Sequence, residues 1–140
     1  MFADYIHRIV LAGLLLLTSI CNAQAAGLKP FILGDTPAGD VKQVSDIVKA
    51  RLTAQGFEIV GAYSPFPEAM VICVTNNELK TAAAKAFNGA FGAAQRVSVT
   101  EVKGKIQVAY VNPAYIGTAY GLGKLESVTT KLNAALGSAK

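Results

Sequence analysis

Arg96–Val102 and Lys105–Val111 are two runs of alternating apolar and polar residues with only Lys103-Gly104 between them. Val97 and Val99 alternate with Arg96, Ser98 and Thr100. Ile106, Val108 and Tyr110 alternate with Lys105, Gln107 and Ala109. Alternation at period two puts each set on one face of a strand. A connection this short leaves no room for a crossover, so the two strands must be antiparallel neighbours in a hairpin. An all-helical fold and a wholly parallel sheet are thereby excluded. Everything else in the chain has to pack around an antiparallel sheet with one apolar face.

The remaining segments read accordingly. Phe31 to Leu33 is a short first strand, followed by the turn residues Asp35-Thr36-Pro37-Ala38-Gly39. Asp40 and Gln43 make a capping box for a helix whose apolar face is Val41, Val44, Ile47, Val48 and Leu52, and Gly56 stops it. Phe57 to Tyr63 is a second strand. Ser64-Pro65-Phe66-Pro67-Glu68 reads as a loop, because proline cannot donate to a ladder. Ala69 to Thr75 is apolar on both faces, as an interior strand is. Thr75 and Glu78 read as a second capping box, with Leu79, Ala82, Ala83, Ala86 and Phe87 as the buried stripe of the next helix. After the hairpin, Asn112-Pro113 opens a short helix that Gly121-Leu122-Gly123 ends. Leu125, Val128, Leu132 and Leu136 line a last helix stopped by Gly137. The predicted order is β–α–β–β–α–β–β–α–α. It describes an α+β fold, a mostly antiparallel sheet with helices on one face, in a single compact domain. The other sheet face must then be solvated, paired with another copy, or used.

Before the domain stands an apolar run, Ile9 to Ile20, ending in the small-x-small sequence Ala23-Gln24-Ala25. This is the pattern of a cleaved signal peptide, and the run is too short to span a bilayer. Residues 1–25 are therefore expected to be removed near Ala25, leaving 26–140 as the domain, periplasmic or secreted, with no stable membrane insertion. The only histidine, His7, and Cys21 would leave with the leader. One cysteine, Cys73, stays, so no internal disulfide can form and packing must supply the stability. The net charge of +4 comes from scattered rather than clustered basic residues. That argues against a nucleic-acid partner, while leaving some preference for anionic partners or lipid headgroups.

Gly61-Ala62-Tyr63-Ser64-Pro65, Val71-Ile72-Cys73-Val74-Thr75-Asn76, Arg96-Val97-Ser98-Val99 and Val108-Ala109-Tyr110-Val111-Asn112-Pro113 together resemble domain-of-unknown-function family 302. The Tyr-x-Asn-Pro segment is the most telling part, and its extension to Tyr120 is similar to exported bacterial members. The resemblance implies helices packed on an antiparallel sheet and a tendency to dimerise. It brings no established activity, and so no catalytic residue.

The chemistry-bearing residues exclude more than they assign. Without histidine in the domain there is no Ser-His-Asp or Cys-His arrangement, and no calcium-loop or cofactor motif is present. Cys73 reads as a buried inert thiol in an apolar strand. Tyrosine combines an apolar ring with a polar tip and suits pocket linings, and arginine can clamp a carboxylate or phosphate. Tyr63, Arg96, Tyr110, Asn112 and Tyr115 are accordingly expected to line a cleft near the strand ends, holding a small organic or anionic ligand or a partner. A binding or accessory module is the first reading. A homodimer formed through the open sheet face, or an enzyme using Tyr, Arg and Glu in place of His, are the alternatives.

Overall fold

The computed structural model describes residues 27–138, and the expected leader lies outside the described residues. The hairpin forms where the alternation requires it. Its strands are β4 (Gln95–Val102) and β5 (Lys105–Val111), and Val97 faces Tyr110 while Val99 faces Val108. Lys103 (φ 53°) and Gly104 (φ 74°) both adopt left-handed backbone, which the tightest hairpin turn demands of its two central residues.

Three more strands extend the sheet: β1 (Phe31–Leu33), β2 (Glu58–Phe66) and β3 (Ala69–Thr75). The order is β1-β5-β4-β3-β2 and every pairing is antiparallel. Among the described residues four helices complete the fold: α1 (Val41–Ala54), α2 (Asn77–Lys85), α3 (Pro113–Tyr120) and α4 (Glu126–Leu136), with a 3-10 turn at Gly89–Gly92. The element order and the α+β architecture are those read from the sequence.

Burial explains why helices cover one face only. Val44, Val48 and Leu52 of α1 and Val128, Leu132 and Leu136 of α4 meet Ile72, Val74, Val97, Val99 and Val108 of the sheet, and each is at most 1% exposed. Burying a side chain of this size fully is worth about 1.5–3 kcal/mol. The α1 cap is the predicted reciprocal pair: Gln43 N–H donates to Asp40 Oδ1 at 2.8 Å, and Asp40 N–H donates to Gln43 Oε1 at 3.1 Å. Gly117 of α3 lies against the Gly123 carbonyl, where any Cβ would collide, so that glycine serves close packing.

Three local expectations are corrected. Pro65 and Phe66 belong to β2 rather than to a loop. β2 is an edge strand, and its register shifts between Tyr63 and Phe66, so the missing proline N–H removes no ladder bond the sheet needs. The cap of α2 is Asn76, whose Oδ1 accepts from Leu79 N–H at 2.9 Å. Thr75 instead sends its hydroxyl to the Ala93 carbonyl at 2.6 Å. Phe87 is not in the α2 stripe, because the helix ends at Lys85 and Ala86 turns extended (φ −105°, ψ 140°). The 3.6-residue period stops there, and Phe87 projects fully into solvent.

Candidate functional site

Tyr110 points to the helix side of the sheet and is 1% exposed. Its phenol oxygen lies 2.6 Å from Asn133 Oδ1 and 2.8 Å from the Gly137 carbonyl oxygen. A single phenolic proton cannot serve two acceptors. Both contacts are satisfied when the phenol donates to Gly137 and the Asn133 amide is turned to donate its NH2 to the phenol. Burial, helped by the nearby Asp35 carboxylate, pushes the phenol up to about 12. Tyr110 ties β5 to the end of α4 and has no free polar atom for a ligand.

Asn112 is also committed within the fold. Its Oδ1 accepts from Ala114 N–H at 3.1 Å, and its Nδ2 donates to the Lys29 carbonyl at 2.8 Å. It caps α3 and pins the segment leading into β1. Tyr115 is partly exposed on α3.

Tyr63 and Arg96 lie on the opposite, helix-free face of the sheet, so the five predicted residues do not converge on one cleft. The pairing register places what does share that face. Leu33, Ala109, Ser98, Val71 and Tyr63 form one row across all five strands. Gly61, Cys73 and Arg96 lie in the adjacent row, and Phe66, Ala69, Thr100 and Gln107 in a third. Tyr63 and Arg96 are two strands and one row apart, which on strand-lattice spacings puts their Cα atoms about 12 Å from each other.

Exposure along these rows has a pattern. The edge strands carry large apolar side chains in the open: Phe31 and Leu33 on β1, Tyr63 and Phe66 on β2, each 48–61% exposed. The interior strands carry small, half-buried ones, Val71, Cys73, Ser98, Thr100 and Ala109, beside the exposed polar side chains of Arg96 and Gln107. The open face thus has apolar edges and a centre of mostly small side chains from which Arg96 and Gln107 project. Reading the strands singly missed Leu33, Phe66, Val71 and Ala109 as members of one surface. The available signal was Ala69–Thr75, apolar on both faces.

Two grooves lie on the helical side. One, of about 730 Å3, runs between α3 and α4 and is lined by Leu28, Ala114, Gly117, Thr118, Thr129 and Thr130, with the Lys124–Glu126 pair (3.7 Å) at its mouth. The other, of about 600 Å3, lies between α2 and the Gly121–Gly123 turn. None of the five predicted residues lines either groove. Among the described residues, no three His, Cys, Asp or Glu side chains gather as metal ligands would.

No family model matches the chain, and no curated protein matches it.

Proposed function

We propose that this is an exported interaction domain whose working surface is the open sheet face, and that the face docks on a second copy of the chain. The observation that carries the reading is the set of exposed apolar side chains at the two edges of that face: Phe31, Leu33, Tyr63 and Phe66. An antiparallel sheet can leave one face to water, but large apolar side chains gathered on that face mark an interaction surface.

The edges of the sheet direct association to the face. β1 is three residues long, and β2 is bulged and carries Pro65. Short, bulged or proline-bearing edges resist strand addition. Five strands at about 4.8 Å spacing and about seven residues at 3.3 Å each give roughly 500 Å2 per copy in plan. Two copies together bury roughly 1,000 Å2 before side-chain relief is counted, the lower limit for a specific interface and the size of a weak, concentration-dependent dimer. Tyr63 and Arg96 are residue types that anchor such interfaces. Kinship with family 302 is part of this proposal, and rests on the short segments quoted above.

A second reading, binding of a small organic ligand, is favoured by the α3–α4 groove, whose volume of about 730 Å3 falls in the range of ligand pockets. It moves the ligand site away from Tyr63, Arg96, Tyr110, Asn112 and Tyr115. Native mass spectrometry of the protein exported by its own leader tests both readings. A bare dimer supports the face. A monomer carrying extra mass that disappears on denaturation supports the groove instead.

A further inference from the structure

Phe87 and Phe91 are the most exposed large apolar side chains among the described residues, at 103% and 74%. No described residue covers Phe87 at all. Both stand on the turn between α2 and β4, away from the open sheet face, and the turn holds a fixed shape. Gly89 is seated against the Ala83 carbonyl, in a space that admits no Cβ, and Gly92 packs against the Leu122 and Ile116 side chains. Gly89 N–H donates to the Ala86 carbonyl at 3.0 Å and Ala93 N–H to the Ala90 carbonyl at 3.3 Å. The Phe91 ring stacks on Tyr120, with centroids 5.8 Å apart. The rings are therefore held outward by a packed backbone.

The cation beside the turn is Lys85; Lys80 is paired with Glu58 at 3.2 Å, Arg96 lies on the open sheet face, and α3 carries no charge. Lys85, two residues before Phe87, has no carboxylate partner among the described residues. Two convex rings offer at most about 200 Å2 each, against about 800 Å2 per side for a stable protein interface. A bilayer surface accepts apolar side chains one at a time and draws lysines to its anionic headgroups. We infer that the Phe87–Phe91 turn is a peripheral membrane anchor: the two rings enter the headgroup boundary of an anionic phospholipid surface, and Lys85 meets the lipid phosphates.

The sequence contains no tryptophan, which makes the test specific to the site. Phe87→Trp places a lone fluorophore at the tip, where exposure makes the substitution harmless to the core. With vesicles of phosphatidylglycerol and phosphatidylcholine carrying brominated acyl chains, its emission is expected to shift blue and be quenched. Tyr63→Trp, on the open sheet face, is expected to show neither effect. Adding Phe91→Ser to the Phe87→Trp chain lowers partitioning about tenfold, the consequence of removing one buried aromatic side chain. Unchanged Phe87→Trp emission overturns the inference and leaves the rings for a protein partner. Equal quenching in the Tyr63→Trp and Phe87→Trp chains also overturns it, since the protein would then be held to the vesicle by some other part.

Discussion

Tyr110 shows how a residue's chemistry and its role can part. A tyrosine near a strand end reads as a site candidate because ring and hydroxyl suit a pocket. Whether the hydroxyl is free depends on Asn133 and Gly137, 23 and 27 residues further on, and no local pattern links them. Its displaced titration has a consequence for stability. The folded phenol titrates at about 12 and the unfolded one at 10.0, so the folded state favours the protonated form. That contribution is complete below pH 10 and is lost as pH rises from 10 to about 12, a loss of about 2–3 kcal/mol. Tyr110→Phe should flatten alkaline unfolding in that window, while costing about 1–3 kcal/mol at neutral pH through the partners it strands. Asn112 could be read from its neighbour, since Asn before Pro is a helix-opening pair. Asn112→Ala is expected to cost about 1 kcal/mol in thermal or denaturant unfolding, and unchanged melting would contradict the cap. Tyr115→Phe should leave melting nearly unchanged, because no protein group bonds its hydroxyl among the described residues.

At the scale of elements, signals carried by adjacent residues were the most legible. The Asp40–Gln43 box, the Lys103-Gly104 turn and the Asn112-Pro113 start each lie within a few residues, and each formed. Where two neighbours offered the same chemistry, sequence could not choose: Thr75 and Asn76 are both good caps, and the Ala93 carbonyl drew Thr75 away. Pro65 misled for a related reason, since its tolerance depends on β2 being an edge, a property of strand order. Lys103 occupies left-handed backbone that asparagine adopts more readily. Lys103→Asn should therefore raise stability by about 0.5 kcal/mol in denaturant unfolding. Gly137 has φ 71° and the Asp35 carboxylate where a Cβ would stand. Gly137→Ala should cost about 1–3 kcal/mol, separating the β1 connection from the end of α4.

The molecule as a whole presents two unlike faces, and only the covered one was fully written in the periodicity of single strands. Val97, Val99 and Val108 announce a buried side. The open side becomes a surface only once the order β1-β5-β4-β3-β2 brings Leu33 and Tyr63 to its two ends. That order follows from how β1 returns beside β5, which no short motif specifies. The face has apolar rims, a centre of mostly small side chains and protected edges, and the proposed dimer lays it against the same face of a second copy. Sedimentation equilibrium of the protein, beside a Leu33→Lys, Tyr63→Lys double variant, tests this most directly. Both positions are exposed, so the variant should fold and melt as the parent does. A parent dimer and a folded monomeric variant are predicted. A parent that stays monomeric throughout the micromolar range, or a variant that dimerises equally well, would contradict the assignment of the sheet face.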